Sequence, residues 1–119
     1  MREPGPDHPI HIAPHPGRVR VRLAGLLLAE SDAALVLREA TYPPVIYIPR
    51  ADALWAHFVP SARRSHCPYK GDAAYFTLTT PHVTRPDAVW SYEAPYPAVA
   101  AIAGHLAFYT DKVDPIEVT

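Results

Sequence analysis

Asparagine and glutamine are absent from this 119-residue chain, and there is a single cysteine, Cys67. One cysteine excludes an intrachain disulfide. Glycine is scarce, at five residues, and none of the five builds a Gly-rich phosphate loop. No run approaches the ~18 apolar residues of a membrane helix. The N-terminus is rich in proline rather than apolar, so no signal peptide is expected. Neither sign of charge prevails: 11 basic side chains face 12 acidic ones, for a formal charge of −1. That balance lacks the basic face that non-specific nucleic-acid binding needs. The expectation is a cytoplasmic protein of a reducing compartment, with no membrane or nucleic-acid partner and no cofactor; the oligomeric state is not encoded legibly.

What is present suits a folded domain. Apolar residues make up 49% and charged residues 19% of 13.1 kDa. A chain of this length buries about two-thirds of its unfolded surface in one core. There are 15 prolines, 19 alanines and nine arginines against two lysines. A GC-rich bacterial coding bias produces such a profile, and it makes each lysine more informative than each arginine.

Five prolines (Pro4, Pro6, Pro9, Pro14, Pro16) fall in residues 1–17. Proline fixes φ and removes a donor, so this stretch reads as an irregular arm, with residues 18–119 as a single β-rich domain. His8, His11 and His15 have offsets that do not converge on an extended arm, so no metal site is expected there. Arg18–Leu23 alternates strictly, which predicts a strand with one buried face. Its Arg18/Arg20/Arg22 row fits either a phosphate grip or a solvated outer face, the second being the simpler. Leu26–Ala29 completes a hairpin across Gly25. Leu35–Ala40 and Val45–Ile48 read as further extended runs, and Pro49 opens a helical turn through Phe58 that Pro60 ends. Ser65–Cys67 and Ala73–Thr79 flank Pro68-Tyr69-Lys70-Gly71, a four-residue hairpin loop. Ala88–Tyr92, a short helix over Ala98–Ala103 capped by Gly104, and a closing strand at His105–Tyr109 follow. Strands follow strands, so the fold class is mainly β and antiparallel, with about seven short strands and two short helices.

Several blocks occur together: Asp7-His8-Pro9-Ile10, Arg38-Glu39-Ala40, Tyr47-Ile48-Pro49-Arg50-Ala51-Asp52, Cys67-Pro68-Tyr69-Lys70-Gly71, Trp90-Ser91-Tyr92 and Gly104-His105-Leu106-Ala107-Phe108-Tyr109. In this order they resemble the bacterial family catalogued as domain of unknown function 427, over nearly the whole chain. The resemblance implies a β-tent-like, half-open barrel, similar to methionine sulfoxide reductase B and to zinc-binding domains. Those relatives often carry paired Cys-x2-Cys knuckles, which one cysteine cannot supply, so no structural zinc is expected. The family is sometimes labelled a nucleotidyltransferase domain. The residues give that label no chemistry: there is no Asp-x-Asp, no Gly-Ser pair, and Lys70-Gly71 reverses the P-loop order within a hairpin.

Lys70 stands out as a compact ammonium in a tight loop, with an exposed loop lysine as the plain alternative. Tyr75, Trp90 and Tyr92 pave a pocket wall or fill a core. Glu39 and Asp52 are the acidic partners within reach of such a site. Cys67 precedes the loop; His66 beside it points to the other strand face, so Cys67 reads as a small buried hydrophobe rather than a nucleophile. Three functions follow. The first is a small β domain binding a small polar or anionic ligand in a pocket lined by lysine, tyrosine and tryptophan. The second is an enzyme using Lys70 with Glu39 or Asp52 as an acid–base pair. The third is a protein-interaction module without a pocket. For the first, Lys70→Met is expected to leave stability within roughly 1 kcal/mol, whereas a structural ion pair at Lys70 would make it strongly destabilising.

Overall fold

Alternation places Val19, Val21 and Leu23 in the core, with Arg20 and Arg22 on the other face of β2 (Val19–Leu23). β2 pairs antiparallel with β3 (Leu26–Ser31) through a two-residue turn in which Ala24 and Gly25 have φ of 51° and 84°. Positive φ at both central positions matches the right-handed twist of the hairpin. The Asp114 carboxylate accepts the N–H groups of both turn residues at 2.9 Å. Those two bonds, Gly25's foremost, hold the Asp114 carboxyl below the usual carboxylate range. The arginine row meets acids along the sheet: Arg18 grips Asp32 at 2.8 and 3.0 Å, Arg20 bonds Glu30, and Arg22 bonds Glu117 at 2.8 Å.

The computed structural model describes residues 1–119, and about half of them lie in ten strands. Three sheets form, all antiparallel, without closing into a barrel. The first has β10 (Glu117–Val118) beside β2 and β3. The second has β1 (Ile10–Pro14), β4 (Leu35–Glu39) and β5 (Val45–Tyr47), in that order. The third runs β6 (Phe58–Cys67), β7 (Gly71–Thr79), β8 (Thr84–Ser91) and β9 (Ala107–Phe108). Reciprocal 2.8 Å backbone bonds between Ile48 and Leu106 join the end of β5 to the start of β9. One apolar cluster, with Val21, Leu28, Leu78 and Val89 at its centre, joins the first and third sheets. A second, with Leu37, Tyr47, Tyr75 and Ile102, joins the second and third.

The structure departs from the sequence reading in three places. Residues 10–14 are a strand rather than irregular arm, because Pro9, Pro14 and Pro16 fall outside or at the end of the paired stretch and leave Ile10 to Ala13 free to pair with β4. There are ten strands rather than about seven, because β1 lies in the stretch read as an arm and the two-residue β10 is too short to show a pattern; β6 also runs longer than Ser65–Cys67, beginning at Phe58 and passing through Pro60. β6 is an edge strand, where a missing N–H costs no ladder bond, and its register slips between Pro60 and Arg64. No α-helix forms; instead there are three 3₁₀ segments, Arg50–Asp52, Trp55–His57 and Pro97–Ile102. Ala53 interrupts the stretch after Pro49 by turning extended and bridging to Ala29, and Val99 kinks the third segment at φ −122°, ψ 26°.

Candidate functional site

A cavity of about 720 Å³ lies between the β4–β5 hairpin and the β7–β9 sheet. Eleven of its 17 lining residues are hydrophobic. Leu37, Val45 and Ile46 come from the hairpin, and Tyr75, Trp90 and Tyr92 from the opposing sheet and its continuation. Tyr75 and Trp90 are register partners across β7 and β8, so they face the cavity side by side. Trp90 donates its indole N–H to the Tyr47 hydroxyl at 3.3 Å, and its ring packs on Tyr109 at a centroid distance of 4.6 Å.

The polar end is built by the β6–β7 hairpin and the end of β4. Pro68, Tyr69 and Lys70 form the hairpin tip, and Gly71 closes it at φ 109°, a conformation that side chains resist. This turn directs Lys70 inward, and the Lys70 carbonyl accepts the Tyr96 N–H at 3.0 Å. The Lys70 ammonium bonds a Glu39 carboxylate oxygen. Only 9% of the Lys70 side chain and 13% of the Glu39 side chain are exposed. The other Glu39 oxygen bonds His8 Nε2 at 2.7 Å. The His8 ring lies flat on Tyr69, 3.9 Å between centroids and 7° between planes. One carboxylate is therefore held by two nitrogen bases brought from the arm and the hairpin tip.

Burial pushes the Glu39 carboxyl up, but the bonds from Lys70 and His8 outweigh it and leave Glu39 below its ordinary value. The phenols respond in the opposite direction. Burial raises Tyr47 and Tyr92 well above an ordinary tyrosine, with the Glu39 charge adding to both. Tyr109 is pushed up to about 12 by burial and by the neighbouring Tyr75 hydroxyl. All three phenols are neutral hydrogen-bond donors at physiological pH. Tyr75 already shares a 2.8 Å bond with Ser65. Tyr92, only 7% exposed, makes no side-chain hydrogen bond, and its hydroxyl has no protein partner. Lys70 has one bond for its three donors.

The structure thus brings Glu39, Lys70, Tyr75, Trp90 and Tyr92 to one cavity. It does not bring Asp52, whose carboxylate accepts the Ser31 hydroxyl at 2.6 Å beside a separate cleft at Arg18 and Asp32. Cys67 is half-buried against the second apolar cluster and is not a cavity wall. No three His, Cys, Asp or Glu side chains approach one another closely enough to hold a metal ion. Sequence reasoning missed His8, Tyr47 and Tyr109. The Asp7-His8-Pro9-Ile10 and Tyr47-Ile48-Pro49 blocks were signals for the first two, but nothing local in the sequence tells that His8 reaches Glu39, 31 positions away.

The chain belongs to the family described as a domain of unknown function (DUF427), whose pattern matches residues 11–119. No match is found among curated proteins. The matched stretch includes every cavity residue named above except His8, which acts from behind Glu39 rather than from the wall.

Proposed function

We propose that this domain binds a small polar or anionic ligand in the 720 Å³ cavity, with its polar head against Lys70 and Tyr92. The observation that carries this reading is the set of unspent donors at one end of an apolar chamber. Two Lys70 N–H groups and the Tyr92 hydroxyl belong to cavity-lining residues and have no protein acceptors. Such donors are free to bond a ligand's acceptors, each bond contributing about 0.5–1.5 kcal/mol net. A few convergent polar groups within apolar walls are the usual anatomy of a small-molecule site.

The acid–base enzyme reading draws on the same Glu39–Lys70 pair. Glu39 is held low by two partners, which makes it a weak base and a poor proton donor near neutrality. Binding is the better supported of the two. An interaction module would need no such chamber.

A thermal-shift screen of small molecules tests the proposal. A binder at 100-fold its Kd adds about 2.7 kcal/mol of stability. That gain is expected to shrink in Tyr92→Phe, which removes one oxygen from the wall. A screen in which no compound stabilises the wild type, or in which the gain is unchanged by Tyr92→Phe for every binder, would overturn it.

A further inference from the structure

We infer that the ligand is a monocarboxylic acid with an apolar aryl or alkyl body; this inference rests on the binding reading above and narrows it to a chemical class. The polar end offers donors. Lys70 has two free N–H groups, Tyr92 a free hydroxyl, and Tyr47, which accepts the Trp90 N–H, keeps its own hydrogen to give. Both Glu39 oxygens are engaged by Lys70 and His8. The head that completes this end must accept hydrogen bonds, which selects oxyanions and carbonyl oxygens over amines.

Charge narrows the class further. Lys70 is the one cation on the cavity wall, and Glu39 offsets it. His8, behind Glu39, is the only other basic group at this end, and it stacks on Tyr69. Arg63 and Lys112 lie against the Tyr75 and Tyr109 rings at 4.6 and 5.3 Å, but neither lines the cavity. Asp111 lines it and adds a second negative charge. A dianionic phosphate would meet one compensated cation and two carboxylates, and charge without a partner is costly once desolvated. A single negative charge carries half that burden and can take the two free Lys70 donors and the Tyr92 hydroxyl as partners. Beyond the head, Leu37, Val45, Ile46 and the Trp90 face supply apolar and aromatic surface for a hydrocarbon body.

The test uses three phenylalkyl probes of similar length: 4-phenylbutyrate, its neutral counterpart 4-phenylbutan-1-ol, and phenethyl phosphate. Trp55→Phe leaves Trp90 as the only tryptophan, and fluorescence titration then reports on the cavity wall. The acid is expected to bind at least about tenfold more tightly than the alcohol and than the phosphate, as a charge-assisted bond to a buried ammonium would give. Adding Tyr92→Phe, which leaves the Lys70–Glu39 pair intact, is expected to narrow the acid-to-alcohol ratio severalfold. If the alcohol binds as well as the acid, or the phosphate binds better, the acid class is wrong while the pocket reading stands. If none of the three changes the Trp90 signal, the acid class and the cavity as a site for such molecules fail together.

Discussion

Lys70 and Glu39, 31 positions apart in sequence, meet as a nearly buried ion pair between the β6–β7 hairpin tip and the end of β4. The pair makes Lys70 both a wall of the cavity and a tie between two sheets. The sequence-based expectation that Lys70→Met would leave stability almost unchanged therefore needs revision. Removing one member of a buried pair strands the other, at a typical cost of 3–5 kcal/mol. His8 still bonds Glu39, so we expect Lys70→Met to lose about 2–3 kcal/mol. Glu39→Gln should lose a similar amount. The double variant is expected to lose clearly less than the two singles together, because the stranded charge is gone. Urea denaturation of the four proteins measures this; strict additivity would mean that the pair contributes nothing as a pair.

The depressed Glu39 carboxyl makes stability depend on pH in a defined direction. Its folded pKa lies below its unfolded value. The ionised folded state is therefore favoured, and the stabilisation is present above the unfolded pKa of about 4.3 and lost as pH falls through the folded value. Between about pH 5 and 3 the wild type should lose stability more steeply than Glu39→Gln. Parallel curves for the two proteins over that window would contradict the assignment.

The N-terminal segment touches the site from behind. His8 bonds Glu39 and stacks on Tyr69, the Arg2 N–H bonds the Pro68 carbonyl at 2.7 Å, and the Ala40 N–H bonds the Pro9 carbonyl at 2.8 Å. Deleting residues 1–9 removes these contacts and is expected to lose about 1–3 kcal/mol, with His8→Ala accounting for a large part of it. A truncated protein as stable as the full chain would show that these contacts form without consequence.

Gly71 closes the loop that aims Lys70. A Cβ at this position would meet only ordinary contacts, the nearest at 3.7 Å, so the obstacle to substitution is the φ of 109°. Gly71→Val should cost about 1–3 kcal/mol through backbone strain. Gly71→Ala should cost less, since it is not β-branched, and a melting series over the three proteins checks the order.

Part of the fold could be read from period-2 alternation, which β2 carries throughout and β7 over most of its length, and the Pro68–Gly71 turn is marked by its own chemistry. Pro60 misled because proline reads as a terminator unless the strand is known to be an edge, which is a property of the sheet and not of the local sequence. β1 and β10 are strands because partners lie beside them, not because of their own pattern. The site shows the same division. Aromatic residues on alternating strands and an inward loop lysine are visible locally. Choosing Glu39 over Asp52 as the partner needs the register of β4 against β1, which sets Glu39 opposite Ile10, two residues from His8. Tyr47 joins Trp90 only because the short β5 is brought against the third sheet.

The two indoles give the most direct test of the cavity as the binding site. Trp90 lines the cavity and bonds Tyr47, whereas Trp55 donates to the Arg50 carbonyl at 2.9 Å and lies outside the cavity. In a two-dimensional proton–nitrogen NMR titration of the ¹⁵N-labelled protein with 4-phenylbutyrate, the Trp90 indole resonance should move and saturate while that of Trp55 stays in place. A Trp55 resonance that moves while Trp90 remains fixed, or two indoles unmoved at millimolar probe, would contradict the account.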